Sequence, residues 1–302
     1  MKPIYEEPTQ LSKAKKIVFL GDSVTDEGTY ISYLDAYFLQ NQPDHPITFI
    51  NLGVSSETAS GLSEPEHPFP RPCIHDRLER ALQESRPDCV VICYGMNDGI
   101  YYPFSEERFA AYQLGIHKVI RSVQQTGAKA IVMTPPPFDP QSLRGANLLP
   151  DGENQYSYLE PYVHYNEVLG RYSEWLMSLG SVVDGIVPIY EPLLENINRQ
   201  RTKDSSYISG DGIHPNSEGH WVIAKSLLAH LFHITLDGVP EYVLHPERSP
   251  FYSLVRERHR LLSSSWKEHV GHTNVHKAEA LPLDIAIQCG EQLKQQILEL
   301  SP

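Results

Sequence analysis

The 302-residue sequence predicts an α/β fold: a parallel sheet of five strands with helices on both faces, and a mostly helical extension at the C-terminal end. Three observations lead there. Short apolar runs alternate five times with longer stretches of helical periodicity. Those runs are near-continuous rather than alternating, which is how strands buried on both faces read. The alternation ends near residue 236, so residues 1–235 are expected to form the main domain and 236–302 an extension packed on it. Apolar side chains in that extension need burial, and the segment is short for a core of its own.

"KIVFLG" (16–21) predicts strand one, and "YISYLDAYFL" a helix with Tyr30, Tyr33, Leu34, Tyr37 and Phe38 on one face. "ITFINLG" (47–53) is strand two. After the Pro-rich "SEPEHPFPRP", Ile74, Leu78, Ala81 and Leu82 share a helix face, and Pro87 stops that helix. "DCVVICYG" (88–95) is strand three. The next helix opens on Ser105, a good N-cap, carries acids in its first turn and ends near Gly127. "AKAIVMTPPP" is strand four, followed by a polar loop, 138–157, that exceeds the usual connection of about 4–6 residues. A helix with Tyr162, Tyr165, Leu169, Tyr172 and Leu176 leads to strand five, "VVDGIVPI". A polar loop then precedes "SEGHWVIAKSLLAHLFH", the last helix of the series. Beyond residue 236, segments around Leu254, Leu261 and Trp266, and from Leu281 to Leu300, have helical spacing.

Composition excludes some partners. Acidic residues outnumber basic ones by 38 to 25, a net charge of -13, whereas a nucleic-acid or anionic-membrane surface is basic. No apolar run is long enough to span a bilayer. The N-terminal "MKPIYEEPTQLSKAKK" has acidic residues and lacks the apolar core of a signal peptide. Cys73, Cys89, Cys93 and Cys289 show no zinc spacing. Cys89 and Cys93 on one strand are too far apart to pair, so free thiols and a cytoplasmic setting are expected. The histidines of the extension, His245, His259, His269, His272 and His276, match no ligand template and read as surface residues, with no metal implied.

The strand ends carry the chemistry. Strand one runs into "GDS", strand two into "NLG" and strand three into "YGMND". In a doubly wound sheet ligands bind at this carboxyl rim. Ser23 stands at a strand-to-helix turn, where it reads either as a helix cap or as a nucleophile. A serine nucleophile needs a base. "SGDGIHPNSEGH" supplies one: Asp211 and His214 are three apart in a tight turn, which puts both side chains on one side. The carboxylate would fix the imidazole tautomer and stabilise the imidazolium. The Ser23 N–H, the Gly53 N–H and the Asn97 amide are the candidate donors for an oxyanion. Asp98 can satisfy the loop after strand three and leave Asn97 free.

Together "FLGDSVTDEG", "NLGVSS", "YGMND" and "DGIHPN" resemble, in order, the four sequence blocks of the SGNH hydrolases, the GDSL esterase and lipase superfamily. The resemblance covers about residues 15–235. Valine follows Ser23 where the family name has leucine, a change of packing and not of chemistry. The resemblance implies a three-layer α/β/α sandwich with the five strands in flavodoxin-like order, a Ser23–His214–Asp211 triad, and an oxyanion hole of Ser23, Gly53 and Asn97. It implies no metal or other cofactor. It also implies a shallow open site and a small-molecule ester as partner, often an acetylated sugar, with neither nucleic acid nor membrane involved. A lysophospholipase or thioesterase, acyl transfer to a sugar, and a non-catalytic carbohydrate-binding relative are the other readings. Asp22 reads as a brace for the turn or a substrate contact. Tyr101, Tyr102 and Phe104 in "GIYYPF", with Arg71, His67 and Arg144, are further candidates to line the cleft.

Overall fold

A computed structural model of the chain describes residues 15–143 and 147–300. Residues 1–14 of the N-terminal stretch read above for a leader, and Arg144, lie outside the described residues. Strands β1 (Lys15–Gly21), β2 (Ile47–Asn51), β3 (Cys89–Cys93), β4 (Lys129–Met133) and β5 (Gly185–Val187) form one sheet in the order β2-β1-β3-β4-β5. Every pairing is parallel, and the order is the flavodoxin-like one. The register sets Phe19 beside Asn51 and Gly21 beside Cys93, which brings the first three carboxyl ends to one rim.

Successive strand residues face opposite ways, so one sheet feeds two cores. Ile17, Phe19, Val91, Ile131 and Val187 pack on one side with α2 (Thr29–Asn41) and α7 (Ser217–Phe232). Val18, Leu20, Val90, Ile92 and Val132 pack on the other with α3 (Leu78–Ser85), α4 (Glu106–Gln125) and α5 (Tyr165–Met177). In the main domain two α-helices appear, among the described residues, where the sequence suggested none. One is the single turn α1 (Ser23–Glu27). The other is α6 (Tyr190–Lys203), in the stretch read as a polar loop. Its apolar stripe is only Tyr190, Leu193 and Ile197 on an otherwise polar segment, too sparse to stand out.

The extension comprises α8 (Glu241–Leu244), α9 (Pro250–Val270) and α10 (Leu283–Glu299). It joins the first core through Tyr242, Phe251, Tyr252, Val255 and Ile297. The Tyr252 ring stacks on Tyr33 at 5.2 Å, and its hydroxyl lies 2.8 Å from the Ser32 Oγ. Arg258 pairs with Asp35 at 2.8 Å. His259 is not the surface histidine the sequence suggested: its Nε2 lies 3.2 Å from the Asn51 amide, next to α1.

Candidate active site

The turn after β1 exposes Ser23. Asp22 caps α1 by accepting the Val24 N–H at 3.2 Å, which makes Ser23 the first residue of the helix. A first-turn N–H has no partner within its own helix. No hydrogen bond among the described residues uses the Ser23 N–H, so it is free for a ligand.

Between α6 and α7 the chain makes a small closed bend. Gly210 and Pro215 bridge its ends, and the Asp211 N–H donates to the His214 carbonyl at 3.2 Å. Gly210 is required there: its φ is +145°, and a Cβ would meet the His214 carbonyl oxygen at 1.9 Å. The Asp211 Oδ1 accepts from the Ile213 and His214 N–H groups at 2.9 and 2.7 Å. Its Oδ2 lies 2.8 Å from the His214 Nδ1, and the His214 Nε2 lies 2.7 Å from the Ser23 Oγ. With the proton on Nδ1 donated to Asp211, Nε2 is an acceptor for the Ser23 hydroxyl. Partial burial alone would raise the Asp211 pKa, but its hydrogen bonds with His214 and Ile213 bring it down to about 2. Burial alone would lower the His214 pKa. The hydrogen bond and charge of Asp211, with the charges of Asp22 and Glu27, outweigh it and raise the value above 6.5.

Asn97 comes from the loop after β3 and is 3 % exposed. The Tyr101 hydroxyl donates to its Oδ1 at 3.2 Å, and its Nδ2 donates to the Glu57 carbonyl at 3.3 Å. That fixes the amide and leaves the second Nδ2 hydrogen unassigned. Gly53, the expected partner donor, is otherwise engaged: its N–H donates to the Asn51 Oδ1 at 2.8 Å. Its role is close approach, since a Cβ would meet the Asp26 nitrogen at 2.3 Å. A free donor on this loop lies three residues on. The Ser56 N–H has no partner among the described residues, and Ser56 holds a left-handed φ of +64°.

The model of the GDSL-like lipase/acylhydrolase family matches residues 19–222. The chain belongs to this family. It is a carboxylic ester hydrolase of the GDSL type. An acetylxylan esterase of Geobacillus stearothermophilus is 22 % identical over 240 residues, 72 % of this chain and 94 % of that protein. Among solved structures, a catalytic mutant of that organism's acetylxylan esterase is 18 % identical, with a TM-score of 0.53 over 74 % of this chain and 97 % of the other. A gut microbial diltiazem-metabolizing enzyme is 22 % identical, with a TM-score of 0.51 over 72 % of this chain. The chain spans only 47 % of that enzyme's length. The family match stops at residue 222, so it leaves out α8, α9 and α10.

The structure draws several candidate substrate contacts into the GDSL-type framework instead. Asp22 is 2 % exposed, and its carboxylate caps α1; burial pushes its pKa up to about 7. Tyr101 is 1 % exposed, stacks on Tyr165 at 4.9 Å and holds Asn97. Arg71 is buried with both Nε and Nη2 on the Glu64 carboxylate at 2.6 Å, and lies 5.5 Å from the Tyr101 ring centre. Tyr102 is half-buried, with Tyr156 at 5.0 Å on one side and Arg108 at 5.1 Å from its ring centre. Phe104 packs on Phe109, and His67 on Phe69 and Tyr158. Asp98 accepts the Ala59 and Ser60 N–H groups at 2.8 and 2.7 Å, leaving Asn97 to the site.

Sequence reasoning missed the network under this loop. The Arg77 Nε and Nη2 grip both oxygens of Glu57 at 2.7 and 2.6 Å, and the Tyr94 hydroxyl donates to the same carboxylate at 2.6 Å. Nothing in the order of residues links positions 57, 77 and 94. Ser56 carried no signal either, because a left-handed φ at serine is set by its surroundings.

Proposed function

We propose that the chain hydrolyses a short-chain ester, an acetyl group on a carbohydrate, by two-step acyl transfer. The observation that carries this reading is the continuous line from the Asp211 Oδ2 through His214 to the Ser23 Oγ, at 2.8 and 2.7 Å. Ser23 attacks the ester carbonyl while His214 takes the hydroxyl proton. The oxyanion is held by the Ser23 N–H, the Asn97 amide and the Ser56 N–H, the last in place of Gly53. His214 then protonates the departing alcohol, and the acyl group stays on Ser23. In the second step His214 accepts a proton from water as its oxygen attacks the acyl carbon, then returns that proton to the Ser23 Oγ as the acyl–oxygen bond breaks, releasing the carboxylic acid, which ionises in solution.

Two features support the acetyl-sugar assignment. The Asp211 and His214 side chains are 61 % and 33 % exposed, so the site is open, as a bulky saccharide leaving group requires. The relative with a name of this kind is an acetylxylan esterase, and catalytic mutants of that esterase alter a serine, an aspartate and a histidine. In that protein the aspartate and histidine are three positions apart, as Asp211 and His214 are here.

The test is a series of p-nitrophenyl esters from acetyl to palmitoyl, followed by acetate release from acetylated xylo-oligosaccharides. The expected result is highest kcat/KM for acetyl and no turnover with Ser23→Ala. A preference for long acyl chains would overturn the acetyl assignment in favour of a lysophospholipase or thioesterase. Ester hydrolysis surviving Ser23→Ala would overturn the catalytic one.

A further inference from the structure

We propose that Asn274, in the C-terminal extension beyond the residues matched by the family, is a positioning residue for the oxyanion hole. It rests on the ester-hydrolase reading above. Asn274 donates its Nδ2 to the Ser55 carbonyl at 2.6 Å. That carbonyl belongs to the peptide whose N–H is the Ser56 N–H. A peptide unit is rigid and planar, so a clamp on its oxygen fixes the direction of its hydrogen. A hydrogen bond to the carbonyl also polarises the N–H on the other side of the same unit.

The turn explains why a clamp is needed. The Glu57 N–H donates to the Val54 carbonyl at 3.1 Å, closing a four-residue β-turn. Of its two central residues only Ser56 has a positive φ, +64°, which marks a type II turn. Type II prefers glycine at that position, and serine there is strained. The relaxed alternative is type I, which rotates the Ser55–Ser56 peptide by about half a turn and reverses its N–H. Serine therefore biases the turn toward the wrong orientation, and neighbouring groups hold it in place. Asp26 accepts the Ser55 N–H at 3.2 Å and the Ser55 hydroxyl at 2.5 Å, and Lys267 of α9 pairs with Asp26. Those contacts fix Ser55 on its N-terminal side. The contact on the peptide that flips is the one from Asn274.

Asn274 is itself fixed. It is 4 % exposed, and its Oδ1 accepts the His276 N–H at 2.8 Å, so the amide presents its donor side to Ser55. The extension thus does more than cover apolar surface: it supplies a hydrogen bond that an oxyanion donor depends on.

Steady-state kinetics with p-nitrophenyl acetate on the full-length protein test this. Asn274→Asp keeps the acceptor for His276 but loses the donor, and Asn274→Ala loses both. Each is expected to lower kcat about 10-fold with KM within about two-fold, because the donor acts mainly in the transition state. Adding Ser56→Gly to either variant is expected to recover most of that loss, since glycine holds a left-handed φ without help. A structural role for Asn274 alone would show no such rescue. Wild-type kcat in both Asn274 variants, or a loss that Ser56→Gly does not relieve, would refute the proposal. Ser23→Ala separates the two readings. Turnover that survives it sinks the assignment of Ser23 as nucleophile, whereas its loss beside wild-type kcat in Asn274→Asp sinks only the role of Asn274.

Discussion

Asp211→Asn should damage this enzyme more than Asp211→Ala, although asparagine is the closer mimic. The Asp211 Oδ1 accepts two backbone N–H groups, at 2.9 and 2.7 Å, while Oδ2 faces the His214 Nδ1 at 2.8 Å. An asparagine that keeps its oxygen on the two N–H groups turns its NH2 toward Nδ1. Nδ1 must then be bare, the ring proton moves to Nε2, and His214 has no lone pair for the Ser23 proton. Turning the amide over restores the tautomer but points NH2 at two donors. Each lost bond then costs about 1.5 kcal/mol, the lower part of the range, because the Asp211 side chain is 61 % exposed and water relieves some of it. The sum of about 3 kcal/mol is a loss on the order of 100-fold in kcat/KM. Alanine removes the charge but lets water take the Nδ1 proton, so the working tautomer survives. The partly exposed pair forfeits only about 1 kcal/mol, a loss of several-fold. Initial rates of p-nitrophenyl acetate hydrolysis from pH 5 to 9, with circular dichroism to confirm folding, measure both. The base works neutral, so wild-type activity is lost as the pH falls through the His214 pKa. That limb should have its midpoint above 6.5, and it should move to lower pH in Asp211→Ala, where the main upward influence is gone. An asparagine variant as active as the alanine variant would refute the tautomer argument.

Three further outcomes follow from the same geometry. Asn97→Ala is expected to lower kcat by about 10²–10³ with little change in KM, the loss of one oxyanion donor; a loss confined to KM would make Asn97 a ground-state contact instead. Arg77→Met leaves the Glu57 carboxylate buried beside Tyr94 without its cation, and should destabilise the fold by about 3–5 kcal/mol in urea unfolding. A change below about 1 kcal/mol would show that Glu57 protonates or is reached by water. Burial raises the folded Asp22 pKa from 3.8 to about 7. Its contribution to stability is therefore full below about pH 4 and is lost as the pH rises to about 7, by an amount on the order of a few kcal/mol. Asp22→Asn keeps an acceptor for the Val24 N–H and should flatten that slope; an unchanged pH profile of stability would mean that Asp22 ionises normally.

The fold was legible because the strands bury most of both faces, which leaves an apolar run that polar loops cannot imitate. The candidate site residues were legible because local turns present them. Ser23 follows β1 directly, Asn97 follows β3, and Asp211 and His214 share one bend, so chain neighbours suffice to recognise them. The loop after β2 was not legible in the same way. "NLG" ends a strand with a glycine, which suggests an exposed N–H. Yet Gly53 is small because α1 passes over it, and its N–H is used by Asn51, two residues away. The Asn51 amide in turn donates to the Thr25 carbonyl at 2.6 Å. The available donor, Ser56, depends on Asp26 and Asn274, residues distant in the chain, and no local pattern reports them.

The same division explains Arg71. A lone arginine in a loop at the rim of the sheet reads as a hand for the substrate. In the fold it is spent on Glu64, with both carboxylate oxygens engaged and both side chains almost fully buried. Its charge still reaches the site. It acts on Asp22 and Asp98 as a downward influence, against a burial that holds them near 7 and 6. Asp22 is in turn one of the charges that raise His214. Arg71 also sits beside Tyr101, whose hydroxyl orients Asn97. The buried pair thus lies behind Asp22 and Tyr101, one residue removed from the candidate base and the candidate oxyanion donor. In the proposed reaction, groups of this kind change how well the transition state is held, while the exposed side chains of Asp211 and His214 lie on the open rim. Substitutions in the buried tier should therefore appear in kcat and in the pH profile, and substitutions around the rim in KM.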